Sequence, residues 1–285
     1  MTKPRSTSKS LSLTAILLFL GIACRFSNPL TTPTSTPVPT PTSTPARSVL
    51  PIAVPDELIH IRQPAVGSRL ITPIEVDGLS GPTFEQTLIV FLTSSDGSQL
   101  ALEPASIQSD IGEAGPFSLS LPFTVNAETT ARLTVYDISA RDGGLVHLNS
   151  LIITLLPSGS SLIVAAAMQK EAIHIAQPLH MEEIAGGEIH ISGYAQYFFE
   201  ATLNIAVCGS GGSGSAHLIC GTQDNLLVEG IAMIASPDVG MPGPFGADIE
   251  YTVTETTRAR LVVYAISPMD GAVEHLASQE IVLNP

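Results

Sequence analysis

The chain has no tryptophan, and charged residues make up only 13% of its 285 positions. Such a composition leaves little material for charged amphipathic helices, and neither half offers a long stretch of apolar residues at helical spacing. Basic residues are scarcest where a nucleic-acid or anionic-membrane ligand would need them. Five of the 12 Lys and Arg lie in the first 50 residues, leaving seven bases against 26 acids in the remainder. An excess of acid that large repels phosphate backbones and anionic headgroups, so neither is expected as a ligand of the folded part. Cysteine is sparse too, with three residues: Cys24, Cys208 and Cys220. Also missing are a Gly-x-Ser-x-Gly nucleophile turn, a His-Glu-x-x-His zinc motif and a phosphate-cradling loop, and no catalytic residue, metal or cofactor is expected.

What is present is aliphatic and rich in turns. Ile, Leu, Val and Ala share the chain with abundant Thr and Ser, and 23 Gly and 22 Pro punctuate it. This mixture favours β-strands joined by tight turns.

Residues 1–24 read as an address. Three cations precede an apolar run from Leu11 to Ala23, which is short for a membrane span and has the form of a secretory signal. The run ends Gly21-Ile22-Ala23-Cys24, which resembles a bacterial lipobox, with Gly21 where Leu is usual. Lipidation of Cys24 would anchor the protein to the membrane on its extracytoplasmic face. An ordinary signal peptide of a secreted protein and an uncleaved N-terminal anchor are the other two readings of this segment. Residues 25–57 form a Thr/Pro-rich stalk with almost nothing to bury, expected to stay disordered and extended, at about 3.1 Å per residue in polyproline II form.

Beyond the stalk the chain is written twice. Ile59-His60-Ile61 and Gln63-Pro64 recur as Ile173-His174-Ile175 and Gln177-Pro178. Gly78 recurs as Gly193, and Phe84-Glu85 as Phe199-Glu200. Further on, Gly115-Pro116-Phe117 matches Gly243-Pro244-Phe245, and Ala131-Arg132-Leu133 matches Ala259-Arg260-Leu261. Tyr136, Ser139, Asp142, Gly143 and His147 match Tyr264, Ser267, Asp270, Gly271 and His275. The spacing predicts two tandem domains, 58–157 and 172–285, with 158–171 as an interdomain linker. Alternating runs such as "FSLSLPFTV" give six or seven strands per copy, so the expected fold is all-β, two immunoglobulin-like sandwiches. Asp142-Gly143 and Asp270-Gly271 sit between the last two strands of each copy and predict hairpin turns, Gly taking positive φ without penalty. No D-x-D-x-D run accompanies them, so calcium is not expected there.

With Cys24 lipidated, Cys208 and Cys220 remain as a pair around "GSGGSGSAHLI". In an exported protein a disulfide closing that loop is the natural reading; with only His217 nearby they make no four-ligand zinc set. His60 and His174 alternate with Ile and are expected to point outward. His147 and His275 are matched by repeat descent alone, and solvated surface positions are expected for them. Glu85 and Glu200 are read as local structural groups, and Glu182, Glu183 and Glu188 as a solvated strand edge.

The pattern of Ile59, Ile61, Pro64, Gly78, Phe84, Glu85, Gly115, Phe117, Val135, Tyr136, Ser139, Ala140, Asp142 and Gly143 resembles the immunoglobulin-like domain associated with bacterial spore-germination proteins. The second copy departs from it at Pro268 and by its cysteine insertion. The resemblance implies an extracytoplasmic β-sandwich fused to other envelope modules and implies no catalytic residues. The functional expectation is a non-enzymatic, lipid-anchored surface module with an envelope protein or surface glycan as partner and the cysteine loop as its distinctive face. The alternative is a solute-capturing or accessory lipoprotein of a membrane complex.

Overall fold

The computed structural model describes residues 53–209, 219–221 and 226–285, which belong to one compact unit, Val49–Pro285. Cys24, the lipobox-like segment, His217 and most of the Gly/Ser loop lie outside the described residues.

The first repeat contains β1 (Ile59–Gln63), β2 (Arg69–Leu70), β3 (Ile74–Ser80), β4 (Thr87–Ser94), β5 (Gln99–Ser106), β6 (Gly115–Leu121), β7 (Thr129–Ile138) and β8 (Leu145–Leu155). The second answers strand for strand: β9 (Ile173–Gln177), β10 (Glu182–Ile184), β11 (Glu188–Ala195), β12 (Thr202–Gly209), β13 (Leu226–Ile234), β14 (Gly243–Glu250), β15 (Thr257–Ile266) and β16 (Val273–Leu283). Among the described residues the one helical piece is a single 3-10 turn, Phe199–Ala201.

In the first repeat β1-β3-β6 make one sheet and β5-β4-β7-β8 the other, with β2 running parallel to β8 at one end. Alternation drives the layering. Every second residue of β4, Leu88, Val90 and Leu92, is fully buried and meets Phe117, Leu133 and Ile153 in the core. The second repeat builds an equivalent core from Ile189, Ile205, Phe245, Leu261 and Ile281. The matched glycines have a steric reason: a side chain at Gly78 would strike the His60 carbonyl and the Phe117 ring, and one at Gly193 the His174 carbonyl and the Phe245 ring.

The two sandwiches are not beads on a string. β8 pairs antiparallel with β16, so the larger sheet of one repeat continues into that of the other. The register places Leu148 opposite Leu276, two residues that are repeat equivalents of each other, so a local pseudo-two-fold axis passes through that pair. A third apolar cluster, with Leu145, Leu148, Val262, Tyr264 and Leu276, forms around it. The segment 158–171, expected as a linker, runs back along the first repeat: Leu162 exchanges backbone hydrogen bonds with Arg69, and Ala65 N–H donates to the Val164 carbonyl.

Cys208 and Cys220 form a disulfide. The described end of its loop belongs to the interface. Leu145 N–H donates to the Ile219 carbonyl at 2.9 Å, and Ile219 and Cys220 are buried in the cluster between the repeats. The Ile219–Cys220 end of the loop therefore helps to join the repeats, and the rest of the loop, expected as a binding face, lies outside the described residues. A disulfide with a sequence separation of 12 constrains the unfolded chain by about 3 kcal/mol. Cys208→Ala/Cys220→Ala should lower the unfolding free energy by about that amount, read as a lower urea midpoint. A midpoint unchanged by reduction of the native protein would count against it.

Candidate functional site

Two sets of polar groups are buried between the repeats, and both obey the pseudo-two-fold. The first consists of exchanged ion pairs. Arg132 of β7 reaches into the second repeat, where its Nε and Nη2 donate to the two Asp270 carboxylate oxygens at 2.8 and 3.0 Å. Its repeat equivalent, Arg260 of β15, donates from Nη2 to Asp142 Oδ1 at 2.7 Å. The serines beside them are exchanged in the same way: Ser150 Oγ donates to the Glu274 carbonyl, and Ser278 Oγ to the Val146 carbonyl.

Asp142 and Asp270 thus have two functions. Each closes its own turn, accepting from Gly144 N–H at 2.9 Å and Ala272 N–H at 3.2 Å respectively. Gly143 and Gly271 take φ of +74 and +68 in those turns. Each aspartate then receives the other repeat's arginine. Burial opposes ionisation of both, but the arginine hydrogen bonds and charges, helped by the turn N–H groups, outweigh it and hold both carboxyls below their ordinary value.

The second set is a cluster of two glutamates and two histidines. The short segments ahead of β1 and β9 pair with each other: Glu57 N–H donates to the Gln169 carbonyl and Glu171 N–H to the Pro55 carbonyl, both at 3.0 Å. Pro55 to Glu57, read from sequence as the end of the stalk, therefore lies against the second repeat. The carboxylates cross over as well. Glu171 Oε2 accepts from Leu58 N–H at 3.0 Å, and Glu57 Oε2 from Ala172 N–H at 3.2 Å.

His147 of β8 and His275 of β16 close the cluster, their ring centroids 5.3 Å apart and edge to face. His147 Nε2 lies 2.9 Å from Glu57 Oε1, and His275 Nε2 lies 3.1 Å from Glu57 Oε2. Glu171 Oε1 is 3.6 Å from His147 Nε2 and 3.5 Å from His275 Nε2, and makes no hydrogen bond. All four side chains are 7% exposed or less.

Burial disfavours a charge on Glu57, but the His275 charge and the hydrogen bonds from both histidines prevail and hold its carboxyl well below the usual range. Glu171 moves the other way, raised by burial and by the Glu57 charge despite the histidines. Burial would lower His147, yet its bond to Glu57 and the charges of Glu171 and Glu57 raise it. Asp137, across the strand pair from His147, is pushed up to about 6 by burial.

Sealed in this way, the cluster can hold a proton, an ion pair or a small cation. It also corrects the sequence expectation for His147 and His275, which are buried because β8 and β16 turn their outer faces toward each other. His60 is buried as well, since β1 is covered on both faces, and Asn149 of β8 donates to the neighbouring Ile59 carbonyl at 2.8 Å. His174 is half-buried. A second group of possible cation ligands, Glu188, His190 and Asp248, is exposed on β11 and β14. The matched arginines inside apolar runs, "ARLTVY" and "ARLVVY", were the available sign that a face expected to meet water is covered. No comparable sign marks Glu57 and Glu171, which stand outside the strands.

A family model, the immunoglobulin-like domain of bacterial spore germination, matches residues 58–144 and again 172–272. The chain belongs to this family. Both matches stop short of His147 and His275, so the buried cluster straddles the edges of the family pattern. No curated protein matches the chain. Among solved structures, a "Biofilm associated protein - BSP domain" overlaps 80% of this chain and 30% of its own at 14% identity and a TM-score of 0.23. Red sea bream transglutaminase overlaps 80% of this chain and 31% of its own at 8% identity and a TM-score of 0.28. The chain therefore spans about a third of the length of either structure, and neither likeness bears on activity.

Proposed function

We propose that this protein is a non-enzymatic module of the bacterial cell envelope. In this reading it is held at the extracytoplasmic face of the membrane by lipid on Cys24, and its two repeats act as one rigid spacer presenting a fixed surface to an envelope protein or glycan. The observation that carries the proposal is the joint between the repeats: a shared sheet, exchanged arginine–aspartate pairs and a sealed polar cluster. Tandem domains meant to flex are usually joined by a small polar contact and a free linker. Here charges are buried in the contact, and sliding one repeat against the other would strand them at a cost of several kcal/mol each. The Cys208–Cys220 disulfide supports an oxidising compartment. The solute-capture alternative would draw on Glu229 to Ile234; these are strand residues of β13, and Glu229, Gly230 and Ile231 line a cleft of about 290 Å³ with Asn204, Ile205 and Tyr264.

Two measurements test this. Intact mass of protein purified from membranes should show cleavage before Cys24 with acyl chains attached; an unlipidated mass cleaved elsewhere removes the anchor. Rigidity is read by electron–electron distance measurement between spin labels at Glu103→Cys and Thr254→Cys, both exposed and in different repeats. One narrow distance distribution is expected, and a broad one defeats the spacer reading whatever the mass shows.

A further inference from the structure

We propose that Glu57, His147, Glu171 and His275 form a closed, four-ligand site for a divalent zinc-class metal ion that bridges the two repeats.

The geometry points to a metal rather than to a simple ion pair. One donor atom from each of the four residues lies within 4.8 Å of all the others. Around a tetrahedral ion with bonds of about 2.0–2.1 Å, neighbouring donors stand about 3.3 Å apart. Distances from the two histidine Nε2 atoms to Oε1 of the two glutamates run 2.9, 3.2, 3.5 and 3.6 Å, which brackets that spacing. Both histidines present the same nitrogen, Nε2, to the centre. Both glutamates give Oε2 to a backbone N–H of the opposite repeat, which fixes the carboxylate orientation as outer-shell bonds do in metal sites.

Glu171 supplies an independent observation. Its side chain is 7% exposed, its Oε1 faces both Nε2 atoms, and that oxygen has no hydrogen-bond partner. A buried carboxylate oxygen left so is costly, and an ion at the centre would satisfy it. Charge agrees: two carboxylates and two neutral imidazoles neutralise a dication. The donor set of two nitrogens and two oxygens suits zinc and its neighbours, and has too few oxygens for calcium or an octahedral magnesium. With four protein ligands and no open position the role is structural. Each repeat contributes one Glu and one His, so the ion would tie the repeats together. The inference stands apart from the envelope reading, since such a site holds its repeats wherever the protein resides.

The test uses the full disulfide-intact chain, refolded from urea with EDTA and then with zinc or cobalt, because a buried site loads most readily during folding. One zinc per chain is expected after gel filtration, with a zinc-dependent rise in melting temperature. Cobalt should give the intense visible bands of a four-coordinate ion. Glu171→Gln keeps the volume and the acceptor for Leu58 N–H, and should weaken zinc binding at least about tenfold. His190→Ala, in the exposed Glu188/His190/Asp248 group, should leave binding unchanged. No zinc retained by the native chain, a six-coordinate cobalt spectrum, or binding lost in His190→Ala and kept in Glu171→Gln would each overturn the site. The first two outcomes need no variant, so the inference can fail even if Glu171→Gln does not fold.

Discussion

Asp270→Ala is expected to destabilise the folded chain by about 3–5 kcal/mol at pH 7, because it leaves the Arg132 guanidinium buried with no counter-charge. The Arg132 side chain is 3% exposed and that of Asp270 4%, so water cannot take the missing partner's place. The loss of charge pairing, not of volume, is the cause, and the double variant Arg132→Met/Asp270→Leu should therefore recover most of the stability. Acidity offers a second signature. The Asp270 carboxyl titrates below its ordinary value in the folded protein. Its contribution is therefore complete above the unfolded value near 4, and is lost as pH falls below that through the folded value. The gap between wild type and Asp270→Ala should be widest at neutral pH and narrow steadily below about pH 4. Urea unfolding at a series of pH values measures both effects. A gap under about 1 kcal/mol at pH 7, or one that grows in acid, would show that the pair does not hold the repeats.

Gly221→Ala should cost a comparable amount by a steric route. Gly221 follows Cys220 and has φ of +91, where an L side chain is strained by about 1–2 kcal/mol. The added carbon would also lie 2.5 Å from Gly144 N and 2.8 Å from Gly143 C, and would press on the Asp142 carbonyl oxygen. All three are backbone atoms of the first repeat's turn, which is held in place by the Asp142–Arg260 pair. Overpacking adds about 1–3 kcal/mol, for an expected total of about 2–5 kcal/mol. Gly143→Ala is the control. It also has positive φ, but with open space around it, so it should show the backbone strain alone. Equal losses in the two variants would mean that the cysteine loop does not press on the first repeat.

The repeat-matched turn shows how far the chain could be read in one dimension. Asp-Gly between two alternating strands points to a hairpin, because the demand for positive φ is local and one or two residues state it. The same aspartates pair with arginines 118 and 138 residues away, and no local rule reaches that far. Alternation in β7 sets Leu133 and Val135 against Arg132 and Thr134. It shows that one face is apolar and the other polar, and is silent on whether the polar face meets water. In the structure Arg132 and Thr134 are 3% and 6% exposed. The histidines differ from expectation for the same reason: a residue on an outward strand face is buried or solvated according to what docks there. Glu57 carries no such signal in the sequence, because it stands at the end of a tract with almost nothing to bury, two residues ahead of β1.

The sequence by itself determined the all-β class, the duplication, the family and the pairing of Cys208 with Cys220. Each of these depends on short-range periodicity, on matched spacing or on residue count. Only the tertiary structure decided that the two copies are one body, that the arginine–aspartate pairs cross between them, and that two histidines and two glutamates meet at the pseudo-two-fold. Two related surfaces brought face to face around an axis place every residue near its own counterpart. That geometry belongs to how the copies dock, which neither copy's sequence records.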